Sequence, residues 1–379
     1  MLFALLSAGC GGGNSGNPSQ KSISISIAPL TAKVVAGQGA ILTVTAVNTG
    51  IIWPEGVAGS YTRVGNIATY TPPSVEGVYD FTVTASEDIT KKATAKITVE
   101  SEVLSIMVFP KSVTLREGME YLFVVDARPE QTVSWNVSSD CGTITQNGKF
   151  FAQDAGTCAL TASIPGNIGD TLSADAEITV LAGAANTGTL SVAALAESLD
   201  LPASEFAQCY EGEAVDAVNA SINEGSSIFN VSGTPGNVLL NRRTGAYRVV
   251  GGASAIDIFE SALADILAGN SLPRISAANV EKILTNAHYY GNPNAEIVVL
   301  IYSDFLCPFC KRHHSDQTVE TLTANHPAEV AMVFKNYPLA VHQTAELAAA
   351  GLYCAGKLGG DDAYYSFIAQ AIQAGSFTG

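Results

Sequence analysis

Hydrophobic and polar positions change their spacing twice along this chain. Between Ser22 and Val180 they alternate with a period of two in short runs, such as Ser22-Ile-Ser-Ile-Ser-Ile27 and Ala40-Ile-Leu-Thr-Val-Thr45, with turn residues between them. Alternation of this kind turns one face inward and predicts half-buried β-strands. After a linker at Leu181 to Thr187 the spacing becomes helical, and Val192 to Leu199, Ala203 to Tyr210 and Glu213 to Asn223 read as short amphipathic helices. Val231 to Leu240 and Ala246 to Val250 read as strands about a hairpin turn at Arg242-Arg-Thr-Gly245, followed by a helix over Ser254 to Leu267. Ile297 to Tyr302 is a run of six apolar residues rich in β-branched side chains and ending at Ser303 and Asp304, which predicts a buried central strand.

The alternating part is a tandem repeat, residues 22–100 and 103–181. Pro29 and Pro110, Gly37 and Gly118, and Val99 and Val180 are each 81 apart, and Ala-Thr-Ala-Lys-Ile-Thr-Val at 93–99 answers Ala-Asp-Ala-Glu-Ile-Thr-Val at 174–180. Trp53 and Trp135 are 82 apart, so one residue is inserted between. About 80 residues of short strands around one tryptophan predict a β-sandwich for each copy. The pair resembles bacterial immunoglobulin-like domains, a resemblance that implies stalk or adhesive modules. Cys141 and Cys158 fall in the second copy only, as a disulfide expected between neighbouring strands.

Composition narrows the function classes. The 379 residues, 47% hydrophobic with mean hydropathy +0.23, provide for two to four cored domains and exclude a disordered chain. The formal charge of −16 divides into −6 over residues 1–185 and −10 over 186–379, a surface that repels phosphate backbones and argues against a nucleic-acid partner. The opening Met1-Leu-Phe-Ala-Leu-Leu-Ser-Ala-Gly-Cys10 resembles the lipobox of bacterial lipoproteins, which implies a signal peptide at 1–9 and lipid on Cys10, an anchor and not a span. Residues 10–21 read as a flexible tether. A basic n-region is missing and nine residues are short for a signal, so the expected start lies upstream. The localisation expected is extracytoplasmic, a membrane-anchored lipoprotein of the periplasm or cell surface. Without Cys10, six cysteines remain, an even number that suits an oxidising compartment.

Chemistry is concentrated at Cys307-Pro308-Phe309-Cys310. Proline after the first cysteine suits the first turn of a helix, and Lys311 to Gln317 continues it along a solvated face. Cys307 then stands at a helix N-terminus, where the macrodipole and unpaired N–H groups favour thiolate and make it a nucleophile. Cys310, one turn on, is placed to resolve a mixed disulfide. A Cys-x-x-Cys pair alone also fits half a zinc site or a structural disulfide. The strand before it and the helix after it favour redox chemistry; His313 and His314, expected on the exposed helix face, are the only nearby metal candidates. No metal or cofactor is expected beyond the redox-active cysteine pair.

Residues 182–379 resemble the DsbA-type thiol-disulfide oxidoreductases. Gly291-Asn-Pro-Asn-Ala-Glu-Ile-Val-Val running into Ser-Asp-Phe-Leu-Cys-Pro-Phe-Cys matches the family's first strand and active site, Val333 to Leu339 its next strand, and Ala345 to Gly356 its first inserted helix. Val231-Ser-Gly-Thr-Pro235 with Val238-Leu-Leu resembles its cis-proline strand, and Val249 to Ala253 with the following helix its C-terminal end. Read from the residues alone, Gly233-Thr-Pro-Gly236 is an ordinary turn. The resemblance implies a multidomain fold: two all-β immunoglobulin-like sandwiches (22–100 and 101–181), then an α/β thioredoxin-like domain with an inserted helical subdomain.

The order of the halves is reversed relative to the family. Residues 187–270 carry the cis-proline half, 271–290 a connector and 291–379 the half with the cysteines, which reads as a circular permutation or as a truncated tandem whose halves pair with another chain. The segment 268–290 reaches up to about 75 Å when extended, ample for a domain this size. Cys209 and Cys354 lie on opposite sides of the cut in the helical subdomain, and the resemblance implies a disulfide between them; two free buried thiols are the alternative. The implied function is disulfide exchange with protein thiols and disulfides, leaning to oxidation, with a membrane or soluble redox partner. In it Pro235, in the cis form, lies against the cysteine pair and leaves no ladder donor there, the Thr234 backbone pairs with an incoming peptide strand, and Asp304 either tunes Cys310 or ends the strand. The competing class is a surface-anchored binding protein with a redox-silent thioredoxin-like domain.

Overall fold

The computed structural model describes residues 21–100, 104–138, 140–166, 170–269 and 271–379, so the expected lipid site Cys10 lies outside the described residues. The chain divides into two compact units, Met1–Val103 and Leu104–Gly379. In the first, two four-stranded sheets face each other across Leu42, Tyr70, Phe81 and Ile97. Among the described residues no helix is long and apolar enough to cross a membrane.

The repeat seen in the sequence is carried into the strand pairing. In the first copy Thr31–Val35 lies parallel to Lys92–Glu100 with Thr31 opposite Lys96; in the second Ser112–Glu117 lies parallel to Thr171–Ala184 with Ser112 opposite Glu177, the same register shifted by 81. Gly37 and Gly118 take φ of 84° and 83°, the left-handed turn conformation that a side chain resists. The last strand of the second sandwich runs on to Ala184, so the linker is shorter than its composition suggests. Cys158 lies in the strand Gly156–Pro165 and Cys141 in the turn before Gly142–Ile144, which belongs to the other sheet. Their disulfide therefore ties two sheets together and does not join neighbours in one sheet, a correction to the sequence expectation.

The rest of the second unit is α/β. Its elements in chain order are β1 (Thr189–Ser191), α1 (Val192–Ser198), α2 (Ala203–Glu211), α3 (Ala214–Phe229), β2 (Gly236–Asn241), β3 (Tyr247–Gly251), α4 (Ile256–Leu267) and α5 (Ala277–Leu284). They continue with β4 (Tyr290–Gly291), β5 (Ile297–Ser303), α6 (Pro308–Ser315), α7 (Thr318–Asn325), β6 (Val330–Asn336), α8 (Ala345–Ala371) and β7 (Ser376–Thr378). A five-stranded sheet runs β3-β2-β5-β6-β4. Strand β5 is its buried centre, antiparallel to β2 and parallel to β6. Ile297, Val299 and Ile301 enter the core on one face, and Val298, Leu300 and Tyr302 that on the other, which is why the run shows no polar alternation. The two halves separated in sequence thus meet within one chain.

Three helices depart from the sequence expectation. Helix α3 continues six residues beyond Asn223, to Phe229, because Gly225 lets it lie against Tyr302 and Tyr337; a Cβ there would stand 2.8 Å from the Tyr302 ring. The connector 271–290 contains α5, started by the Ser276 side chain accepting from the Asn279 N–H and held by Val280 and Ile283 against the sheet. The helical segment α8 runs from Ala345 past Gly356 to Ala371, as two helices that meet at a break at Gly360, where φ 66° and ψ −157° leave the helical conformation.

The second sandwich shares its core with this α/β part, from Val108, Phe150 and Ile178 through to Phe305, Phe367 and Phe377. Its edge strand is satisfied from α8: the Ser112 N–H donates to Asp362 and the Thr114 N–H to Ser366. On the other side the Tyr290 hydroxyl donates to the Leu122 carbonyl, and the Asn292 amide donates to the buried Asp126 carboxylate.

Candidate active site

The site begins where β5 ends. The carboxylate of Asp304 is buried, and four donors converge on it. Oδ1 accepts from the Leu306 N–H at 2.7 Å and the Cys307 N–H at 3.2 Å; Oδ2 accepts from the Leu339 N–H at 2.7 Å and lies 2.8 Å from His342 Nδ1. One side chain thereby folds the turn that carries Cys307 and ties it to the loop after β6. Its carboxylate oxygens are spent on these groups, and only the Asp304 backbone N–H meets Cys310 Sγ, at 3.5 Å.

Cys307 is the N-cap of α6, extended at φ −69°, ψ 123°, with Pro308 in the first turn. Its thiol points at the backbone of the other half: Sγ lies 3.5 Å from the carbonyl oxygen of Thr234. The Thr234–Pro235 bond is cis, and Pro235 accepts from the Gly252 N–H at 2.8 Å. The approach follows from register: Gly236, which opens β2, pairs with Tyr302 of β5, so the residues before the one and after the other lie side by side. Cys307, Cys310, Thr234, Pro235 and Asp304 are accordingly gathered in one place.

Both cysteines are free thiols and both are buried, Cys307 with 4% of its surface exposed; around them Ser232, Gly233, Pro308 and Phe309 are open to solvent. Burial pushes the Cys310 thiol up to about 12, against the pull of hydrogen bonds from Ser303 and from the Asp304 backbone. Cys310 is therefore a protonated thiol at neutral pH, and its use as a nucleophile requires a proton acceptor.

The sequence reading put His313 on the exposed face of α6, and the structure corrects this. His313 is 4% exposed, its ring stacked on Phe259 at 5.7 Å and its Nε2 3.1 Å from Asn237 Oδ1. The groups it touches come from α4 and β2, far away in sequence. A signal was present all the same: His313 follows Cys310 by three residues and shares its helix face, so a buried Cys310 brings His313 in with it. His314 is more open and pairs with the buried Glu320 at 3.4 Å.

Away from the cysteine pair, Cys209 of α2 and Cys354 of α8 are joined by a disulfide with a Cα–Cα distance of 5.9 Å, a covalent link between the two halves.

A family model described as thioredoxin matches residues 284–376, the half that carries Cys307 and Cys310. No curated protein matches this chain. Similar solved structures are multi-domain chains aligned over under half of this chain. The titin domains z1z2 in complex with telethonin show 17% identity, 43% of this chain and 96% of that one, at TM-score 0.26. The eight N-terminal Ig domains of Down syndrome cell adhesion molecule show 13% identity, 45% of this chain and 29% of that one, at 0.19. Mouse cadherin-23 EC22–24 shows 15% identity, 42% and 67%, at 0.22. The sandwich assignment stands on the strand pairing described above.

Proposed function

We propose that this protein is an extracytoplasmic thiol-disulfide oxidoreductase of DsbA type, circularly permuted, that exchanges disulfides with protein substrates through Cys307 and Cys310. The observation that supports it most is the placement of the Cys307 sulfur 3.5 Å from the Thr234 carbonyl, with segments more than seventy residues apart meeting at one redox-competent pair. In the reaction, Cys307 thiolate attacks a substrate disulfide, a mixed disulfide forms, and Cys310 displaces the substrate thiolate; the reverse sequence oxidises a dithiol. Thr234 presents backbone to an extended peptide beside the sulfur, a sequence-tolerant grip suited to many protein substrates. A lean to oxidation rests on the family likeness alone. No cofactor beyond the cysteine pair enters the cycle, and electrons pass to a membrane or soluble redox partner. The immunoglobulin-like domains and a lipid on Cys10 complete a membrane-tethered protein of the periplasm or cell surface.

Burial of Cys307 supports a second reading, a surface-anchored binding protein whose thioredoxin-like domain is structural. Insulin reduction and oxidative refolding of a scrambled protein separate the two. The enzyme reading expects both activities, their loss to background in Cys307→Ser, and a trapped mixed disulfide in Cys310→Ser. An inactive wild type whose thiols resist alkylation while folded is the outcome that refutes it.

A further inference from the structure

Beside Cys310 lies a cavity of about 30 Å³ lined from both the α/β part and the second sandwich. Ser303, Cys310, His313 and Glu320 line it from the α/β part, with Tyr121 reaching in from the sandwich. A space of this size holds a water when two to four polar partners face it, and these residues supply them. Two of the groups lack any hydrogen-bond partner although more than nine-tenths buried: the Tyr121 hydroxyl and Nδ1 of His313.

The tautomer of His313 is determined by its neighbour. The Asn237 amide NH₂ donates to the carbonyls of Val250 at 3.0 Å and Gly252 at 3.1 Å, so Asn237 Oδ1 is the atom turned to the ring, and it can only accept. Nε2 of His313 therefore carries the hydrogen and Nδ1 is a bare lone pair. Burial also lowers the His313 pKa, which keeps the ring neutral at pH 7.

We propose that His313, through one water held in this cavity, takes the proton of the Cys310 thiol as Cys310 attacks the mixed disulfide on Cys307. The inference rests on the oxidoreductase reading and adds to it the group that makes the buried thiol usable. In the step, the S–H bond of Cys310 breaks and its proton passes by the water to Nδ1. The sulfur's electron pair forms the Cys307–Cys310 bond, and the substrate sulfur leaves with the pair of the broken bond and is protonated from solvent. The cysteine pair loses two electrons and the substrate disulfide gains them. Glu320, facing His313 from α7, stabilises the imidazolium, and the proton returns to solvent through the half-open His314 that Glu320 pairs with. Glu120, Tyr121 and Leu122 line the same cavity, which makes the second sandwich part of the relay's wall.

The charged and titratable groups facing His313 are Glu320 from α7, Arg312, His314 and Asp316 from its own helix and cap, Glu120 and Tyr121 from the sandwich, Tyr290 from β4 and Tyr365 from α8. Only the basic form of His313 accepts the proton, so resolution slows as pH falls through a value below 6.5 and is flat above it.

One equivalent of dithiobis(nitrobenzoate) added to the reduced full-length protein tests this in two phases. The first chromophore release reports attack by Cys307, and the second, missing in Cys310→Ser, reports resolution. The expected second phase is level between pH 7 and 9, and His313→Gln slows it by about 10²-fold at pH 7, the lower end for general-base catalysis, with the first phase unchanged. Without a relay the second phase climbs tenfold per pH unit toward the titration of Cys310. That slope in the wild type, which needs no variant to fold, or a His313→Gln protein that resolves at the wild-type rate, overturns the proposal while leaving the oxidoreductase reading intact. Absence of the first phase overturns both.

Discussion

The two disulfides permit an internal test of how a covalent link stabilises this fold. Cys209–Cys354 closes a sequence separation of 145 and Cys141–Cys158 one of 17. On the chain-entropy model, removing them costs about 5 and about 3 kcal/mol respectively, a difference of about 2 kcal/mol in favour of the longer loop. Both lie in the compact unit Leu104–Gly379, so both act on the same unfolding reaction. All four half-cystines are buried, so the cost of truncating sulfur to alanine nearly cancels between the pairs. The assay is urea denaturation of the full chain followed by helical ellipticity, since all described helices lie in Leu104–Gly379, with each pair changed to alanine in a Cys307→Ser, Cys310→Ser background that prevents reshuffling. The Cys209→Ala, Cys354→Ala protein is expected to be the less stable by about 2 kcal/mol. Equal losses, or a larger loss at Cys141 and Cys158, refute the loop-entropy account of how the two halves are held.

Three further outcomes are expected. Gly225→Ala gains about 1 kcal/mol of helix propensity but drives a methyl into Tyr302 and Tyr337, whose hydroxyls are anchored on Glu224 and Val231, for a net loss of about 1–2 kcal/mol by denaturation; wild-type stability shows that the rings yield. Asp304→Ala strands the N–H groups of Leu306, Cys307 and Leu339 and is expected to cost about 3 kcal/mol or more, with Asp304→Asn milder; a change under about 1 kcal/mol contradicts the placement of the carboxylate. Because His313 binds its proton less readily folded than unfolded, its contribution is a loss of stability as pH falls below 6.5 and none above; His313→Gln removes that part of the pH dependence of the urea midpoint, and identical profiles argue against a neutral buried ring.

Much of this is legible in the sequence. The 81-residue offset predicted two like sandwiches, and their strand registers repeat it residue for residue. Ile297 to Tyr302 announced a buried central strand, and proline after Cys307 announced the helix it caps. The misses share a cause. Gly225 and the Ser276 cap sit in segments whose local signals say stop or loop, and each is overruled by a partner distant in sequence, Tyr302 against Gly225 and the sheet against α5, whereas Gly360 does break its helix.

By itself the sequence determined which stretches are strands, that two like copies precede a Cys-x-x-Cys pair, and where that pair stands on its helix. Those are properties of neighbours along the chain: periodicity, turn chemistry and spacing. Only the tertiary structure decided that Thr234 faces Cys307, that Asp304 is consumed as a tie, and that His313 is buried against Phe259 and Asn237 and lines one cavity with Cys310 and Tyr121. Burial and hydrogen-bond partners are set by what packs on top of a residue, and here the covering groups come from elements far away in sequence that leave no mark on the local pattern.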